Sequence, residues 1–508
     1  MDHPLMLLVR PAYQYGKQPQ QNLDFEVLLG YLRKCGLTAQ AVDAQLSGLD
    51  CRSLVSFIRN AQARIVYWHL RRRADFQSAA TMVPLLKEAS PQTLMVAGGD
   101  FATLYDIGIL ERLQALGCVI RGEPELTLEA LGKKVGQGEE WQDEPGITTR
   151  RGRVTRNPPR KLLEDLDVLG PAAEDLFEAG RLVRGQHVLF SRGCNSNCAY
   201  CGMQTPYRDE HPHRSEFWRG RSSTAIVDEI EHYHRARGVS HFLFNSFVLF
   251  GYGEARQVGE VAGEILRRGL RISFSFVTHP GHLCRNRALL PLLKEAGLKG
   301  LTLGIDTGLD RVRRMFRLEF SRSDTLGALH LLHEEKIDFV PAFIFYDPFL
   351  EVEEIHENLA FFREIEPLFG HLEVPFGSIV DKYLISTVLE VRTDTPLYPL
   401  LLEKGLAEAQ DSLQGDPVVR FINPAVGRIH KIHKLANRVV GQGIRPIIQS
   451  SRAAGRFPYI NHLPIELLEE IVLVAEDRSL TEAAVASMAS AWMCGKLKGD
   501  LKEILELL

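Results

Sequence analysis

The chain has 508 residues, 45% hydrophobic and 24% charged, with 60 Lys and Arg against 64 Asp and Glu. That length allows about two to four domains, and the near balance of charge gives no general attraction to nucleic acid or to an acidic surface. No apolar run approaches the ~20 residues of a membrane span, and the start, "MDHPLMLLVR", lacks the basic region and cleavage site of a signal peptide.

The first 140 residues alternate between apolar strands and amphipathic helices. Strands are predicted at 4–10, 37–43, 63–69, 92–99 and 117–123, with helical patterns such as "LDFEVLLGYLRKCG" and "DFQSAATMVPLLKEA" between them. Such alternation predicts a doubly wound, Rossmann-like parallel sheet covered on both faces. Ligands of these sheets bind beyond the carboxyl ends of the strands, at the switch point. The expected rim is residues 11–16, 68–73 and the "GGDFAT" turn at 98–103, where Gly98 and Gly99 allow close approach to the backbone.

Residues 141–182 break the pattern. "ITTRRGRVTR" predicts a hairpin around Arg151-Gly152, and "NPPRKLLEDLDVLGPAAEDLF" a Pro-containing connection. Arg150, Arg151, Arg153, Arg156 and Arg160 form a cluster that suits a phosphate, although such runs are more often a solvated hairpin face.

From 186 the alternation resumes. Strands are predicted at "HVLFSRG", "SHFLFNS", "RISFSFV", "LKGLTLGID", "IDFVPAFIFYD" and "HLEVPFGSIV", separated by helices. Six such units predict a partial (β/α)6 TIM-type barrel, whose site collects at the carboxyl ends of the strands. After about 385 the strand pattern fades, and "LPIELLEEIVLVAEDRSLTEAAVASMASAWM" is helical. "RIHKIHKLANR" places His430 and His433 on a basic helix, which reads more readily as a solvated face than as a binding surface.

Just after the first barrel strand, "FSRGCNSNCAYCG" carries Cys194, Cys198 and Cys201 in C-x3-C-x2-C spacing. The other five cysteines (Cys35, Cys51, Cys118, Cys284, Cys494) are scattered, which suits a reducing cytoplasm rather than a disulfide framework. Thiolates hold zinc or iron–sulfur clusters. Zinc needs a fourth ligand, and Cys284, His211 and His213 do not stand at a paired spacing. A [4Fe–4S] cluster on three thiolates leaves one iron open, as a catalytic metal requires.

The motif, with Tyr200 before its last cysteine, resembles that of the radical S-adenosylmethionine superfamily. The resemblance implies that S-adenosylmethionine chelates the open iron and is cleaved to a 5′-deoxyadenosyl radical. It implies cofactor contacts from Tyr200, from Asn245 and Ser246 in "FLFNSF" (where the family more often has Gly-Gly-Glu), and from Asp306 in "GLTLGIDTG". "GGDFAT", "IRGEPELTLEAL", "EPGITTRRGRV", "FVPAFIFYDPFLEVEEIHENLAFF" and "LEVRTDTPLYPLLLEKGLA" resemble the cobalamin-linked branch. The chain is thus expected to comprise a cobalamin-binding-like domain (1–140), a hairpin and linker (141–182), a radical barrel (183–385) and a mostly helical substrate or capping domain (386–508). The likeness implies cobalamin contacts from Trp68, His69, Leu70, Arg71, Gly98, Gly99, Gly122 and Glu123. The D-x-H-x-x-G signature of a histidine lower ligand is absent, as in many members of this branch.

The function expected from the resemblance is cobalamin-dependent radical C-methylation of an unactivated carbon. Alternatives are a cyclisation or rearrangement with the same cofactors, or, in a different class, a zinc-stabilised binding protein. A methylthiotransferase acting on tRNA is disfavoured, because Cys35, Cys51 and Cys118 are too far apart for a second cluster. Expected partners are a small-molecule or peptide substrate and a reductant such as flavodoxin or ferredoxin, with no nucleic acid.

Overall fold

The computed structural model describes residues 3–11, 22–176, 185–203, 205–251, 253–475, 481–497 and 499–507. The N-terminal part forms one seven-stranded sheet: β1 (Met6–Arg10), β2 (Ala39–Asp43), β3 (Ile65–His69), β4 (Leu94–Gly98), β5 (Cys118–Ile120), β6 (Ile147–Arg151) and β7 (Arg153–Arg156). Its order is β2-β1-β3-β4-β5-β6-β7. β1 to β5 are parallel, and the hairpin β6–β7 adds two antiparallel strands. All five residues of β3 are buried, as expected for a strand covered on both faces. Period-2 alternation splits them: Val66 and Trp68 pack into one core, Ile65 and Tyr67 into the other.

The hairpin turns at Gly152, which has φ +75°, where predicted. Four of the five clustered arginines are engaged within the protein. Arg151 pairs with Asp143 at 2.6 Å, Arg156 with Asp106 at 2.6 Å and Arg160 with Glu144 at 2.5 Å, while Arg150 donates to the Leu110 and Gln114 carbonyls.

The second sheet is β8 (Gln186–Leu189), β11 (His241–Asn245), β12 (Ser273–Thr278), β13 (Leu298–Asp306) and β14 (Asp338–Phe343), all parallel, in the order β14-β13-β12-β11-β8. A short antiparallel pair, β9 (Ser191–Arg192) and β10 (Arg219–Gly220), continues from β8. Helices between the strands are locally specified. Ser222 caps the helix Ser223–Arg237 and Gly238 ends it in the left-handed region, and Ser321 with Asp324 forms a capping box on the helix Arg322–Glu335.

The partial parallel barrel is therefore present, but its sixth position is not 371–380. That segment turns at Pro375 into the helix Phe376–Ile379 and the wider turn Val380–Leu384. A single parallel bridge, Tyr346 to Val388, stands in the sixth place. The apolar run packs against the C-terminal part instead, where a Cβ on Gly377 would lie 2.9 Å from the Asn461 Cα.

Beyond it the chain is mostly helical, including Pro424–Gln449, Leu463–Val474 and Glu482–Leu497. His433 on the first of these is not solvated. It is 2% exposed, and its Nδ1 lies 2.9 Å from the Tyr346 hydroxyl. The His430 ring sits 4.7 Å from the Tyr346 ring. No helix among the described residues is long and apolar enough to cross a membrane.

Candidate active site

The cysteine loop leaves the first barrel strand through Gly193. This position has φ +78°, and a Cβ there would fall 1.9 Å from the Phe217 carbonyl oxygen, so only glycine fits. Asn195 Oδ1 accepts the N–H groups of Phe217 and Trp218 at 3.0 and 3.2 Å. Farther along, Ala199 donates its N–H to the Phe316 carbonyl and accepts that of Leu397, both at 2.9 Å. The Tyr200 ring packs 4.8 Å from Phe316. The Arg392–Asp394 pair abuts Gly202, and Thr205 Oγ1 donates to the Asp394 carbonyl at 2.7 Å.

This anchoring gathers the three cysteines. Burial pushes the Cys198 thiol well up, and the charges of Asp306, Cys201 and Cys194 add to it; Cys201 feels Cys194 and Asp306 in the same way. Among the described residues no three His, Cys, Asp or Glu side chains converge on one point. A cluster does not ask for that, since each thiolate holds a different iron.

Asp306 ends β13 in the left-handed region, φ +60°, where the register to β14 shifts. Burial lifts its carboxyl to about 6, opposed by a hydrogen bond from Tyr200 and by the charge of Arg313. Tyr200 and Asp306 are thus in contact, and the charge of Asp306 is felt by both Tyr200 and Cys198.

Asn245 and Ser246, at the end of β11, line a cavity shared with the N-terminal sheet. Ser191 Oγ donates to Ser246 Oγ at 2.6 Å, and Ser246 donates to the Val248 carbonyl. From the other side come His69, Arg71, Gly99, Gly122 and Glu123, with Asp24, Asp100 and Glu125 besides, while His187 on β8 and Arg192 on β9 line it from the barrel. The cavity has a volume of about 260 Å³ and opens toward solvent. Gly99 has φ +101°, and a Cβ there would meet the Leu70 carbonyl at 2.7 Å.

Two of the expected rim residues face elsewhere. Trp68 and Leu70 point into the core on the opposite side of the sheet, because alternate side chains of a strand change face. Gly98 ends β4 against the Tyr67 ring and does not line the cavity. Residues 12–16 of the expected rim lie outside the described residues.

Glu123 is held by the barrel. It accepts from Arg219 at 2.7 Å, and Arg192 lies 3.7 Å from it and 2.6 Å from Glu125. Burial pushes Glu123 up, but the two arginines outweigh it and hold the carboxyl below its ordinary range. Arg121 reaches back to Glu210 at 2.8 Å. These buried pairs clamp the two sheets around the cavity. Arg192 and Arg219 escaped sequence reasoning, and so did His187, Asp24 and Asp100.

Beside Cys201 an open cleft of about 490 Å³ is lined also by Tyr105, Thr205, Arg208, Thr393 and Asp394.

Residues 188–362 match the Radical SAM superfamily. Among curated proteins the chain is similar to an uncharacterised methyltransferase of Pyrococcus horikoshii, 23% identical over 57% of this chain and 61% of that one. It is similar to the hopanoid C-3 methylase of Methylococcus capsulatus, 24% identical over 59% and 58%. A third relative is the anaerobic magnesium-protoporphyrin IX monomethyl ester cyclase of Rubrivivax gelatinosus, 25% identical over 61% and 56%. The chain thus spans about three fifths of the length of these relatives. Among solved structures, the cobalamin-dependent S-adenosylmethionine radical enzyme OxsB with aqua-cobalamin bound matches with a TM-score of 0.75 at 17% identity, covering 97% of this chain and 75% of that one. The radical S-adenosylmethionine methyltransferase TsrM from Kitasatospora setae, with cobalamin and a [4Fe-4S] cluster bound, matches with a TM-score of 0.63 at 16% identity, covering 83% of each. Residues 188–362 are a radical SAM domain, and the chain as a whole has the fold of the cobalamin-dependent radical SAM enzymes.

Proposed function

We propose that the chain is a cobalamin-dependent radical S-adenosylmethionine C-methyltransferase acting on an unactivated carbon of a small molecule or peptide. One observation carries this reading: a single cavity is lined from one side by Ser191, Asn245 and Ser246 near the cysteine loop, and from the other by the rim of the N-terminal sheet.

The residues fit the groups this requires. Three neighbouring thiols, Cys194, Cys198 and Cys201, suit a [4Fe–4S] cluster with one open iron. Tyr200, Asn245, Ser246 and Asp306 would hold S-adenosylmethionine. His69, Arg71, Gly99, Gly122 and Glu123 would hold cobalamin, whose peripheral amides both donate and accept hydrogen bonds and so suit the carboxylates of Asp24, Asp100 and Glu125. The corrin needs the open mouth of the cavity as well as its enclosed part. When bound, these groups supply a 5′-deoxyadenosyl radical and a transferable methyl group.

The chain's own residues orient and shield. Asp306 is ionised at neutral pH and offers its carboxylate to a cationic or hydroxyl group, while Tyr200 fixes its direction. Asn245 and Ser246 present short polar groups at a strand end, with Ser246 steadied by Ser191. The Arg192, Arg219, Glu123 and Glu125 set keeps the two sheets closed against water. The cleft beside Cys201 gives a reductant such as flavodoxin or ferredoxin a short approach to the cluster, which suits a protein of the cytoplasm.

The test is anaerobic turnover of candidate substrates with methyl-deuterated S-adenosylmethionine. The reading expects a product heavier by the labelled methyl group, with 5′-deoxyadenosine and S-adenosylhomocysteine formed together. Three similar curated proteins are cyclases, which favours cyclisation as the second reading. Substrate-dependent 5′-deoxyadenosine with neither label in the product nor S-adenosylhomocysteine would replace methylation by it.

A further inference from the structure

We infer that His69 ligates the cobalt of the bound cobalamin through Nε2, from the face turned toward the N-terminal sheet. This rests on the cobalamin reading above.

The fold places His69 at the point where a ligand is expected. In the order β2-β1-β3-β4-β5 the winding reverses between β1 and β3, and the crevice of such a sheet opens there, beyond the carboxyl ends of the strands. His69 is the last residue of β3. His69 lines the cavity and is 5% exposed.

The hydrogen bonding of the ring is half complete. Nδ1 lies 3.4 Å from the Tyr67 hydroxyl. Nε2 is buried and has no partner among the described residues. A buried polar atom left unpaired costs about 1–3 kcal/mol, so it calls for an explanation. Phe25, whose ring centroid is 5.5 Å away, supplies packing but no hydrogen bond.

A neutral imidazole whose Nδ1–H donates to Tyr67 leaves the Nε2 lone pair free. One ring nitrogen steadied by a neighbour and the other open is the usual arrangement of a metal-ligating histidine.

The other donors of the cavity are less suited. Arg71 and Arg192 have no lone pair to give. Glu123 and Glu125 are committed to arginines, and Asp24 and Asp100 lie within 4.0 Å of Arg71. His187 belongs to β8, across the cavity from the rim. A strand-end histidine thus takes the part that the missing D-x-H-x-x-G loop plays elsewhere.

The experiment uses the full chain labelled with 15N-histidine, loaded with hydroxocobalamin under anaerobic conditions and reduced to the cobalt(II) form. In electron paramagnetic resonance, ligation by histidine splits each resolved cobalt line into two in the labelled protein and into three in the unlabelled one. The splitting is expected to vanish in His69→Ala and persist in His187→Phe. Three-fold splitting in both preparations marks the cobalamin's own benzimidazole as the ligand and overturns the assignment. So does an unsplit signal from stoichiometrically bound cobalamin, which leaves the cobalamin reading standing. Failure of the unaltered chain to bind hydroxocobalamin overturns both. The labelled unaltered chain decides on ligation by histidine even if His69→Ala loses the cofactor, and loss of the two-fold splitting in His187→Phe that still binds cobalamin overturns His69.

Discussion

Replacing Asp306 by Asn trades function for stability, and the trade has a calculable pH dependence. Burial raises the Asp306 carboxyl from 3.8 to about 6. The folded chain therefore resists ionising it, while the unfolded chain does not. Between these two values the unfolded state carries fewer protons than the folded one, so stability falls as pH rises, at about 1.4 kcal/mol per pH unit. Above about 6 the penalty is fully developed, with a ceiling of about 3 kcal/mol, since Asp306 keeps some contact with solvent. Asn carries no charge, accepts from Tyr200 as Asp does, and tolerates φ +60° better than most residues. Urea unfolding of the cofactor-free protein from pH 4 to 8 is expected to show Asp306→Asn gaining on the unaltered chain as pH rises and levelling off above about pH 6. The same variant should bind S-adenosylmethionine at least tenfold more weakly at pH 8, about 1.4 kcal/mol or more for a charge-assisted contact. A pH-independent difference, or a variant less stable at pH 8, would refute the account of the buried carboxylate.

Cys194→Ala, Cys198→Ala and Cys201→Ala should each lose most of the iron of anaerobically reconstituted protein, whereas Cys35→Ala, Cys51→Ala and Cys118→Ala should retain it; iron and sulfide analysis decides. Arg192→Ala strands the buried Glu125 carboxylate and should cost about 3–5 kcal/mol in denaturant unfolding; a loss below about 1 kcal/mol would remove that ion pair from the clamp. His433→Phe leaves the Tyr346 hydroxyl unpaired, for a loss of about 1–3 kcal/mol near neutral pH. Burial lowers His433 from 6.5 to about 3, so the unaltered chain sheds stability as pH falls through that window. The deficit of His433→Phe should therefore narrow in acid, and a constant deficit would contradict the buried neutral ring.

Much of this was legible because it is local. Strand ends in the N-terminal sheet fall within about two residues of their predicted positions, except that β5 stops at Ile120, short of the predicted 123, since apolar runs bounded by turns mark buried parallel strands. The cysteine loop was legible from spacing alone. The failures have separate causes. "HLEVPFGSIV" is short and apolar, and periodicity does not separate a buried strand from a buried helical turn at that length; Pro375 and the packing of Gly377 decide for the turn. Trp68 and Leu70 share the expected rim with His69 and Arg71, but the strand runs through His69 and sends alternate side chains to opposite faces. Arg192 and Arg219 meet Glu125 and Glu123 across 67 and 96 residues, and no short motif announces such a pairing. His430 and His433 lie in a basic stretch, and only the packing of their helix on the barrel end shows that His433 is buried and His430 half-buried.

The central claim is that three cysteines hold a [4Fe–4S] cluster whose fourth iron takes S-adenosylmethionine. Its most direct measurement is electron paramagnetic resonance of the anaerobically reconstituted, reduced protein, recorded before and after addition of S-adenosylmethionine. The account predicts a [4Fe–4S]+ signal whose g values shift on addition, with a smaller shift in Asp306→Asn at equal cofactor concentration. A cluster signal unchanged by saturating S-adenosylmethionine, or stoichiometric zinc in place of iron, would contradict it.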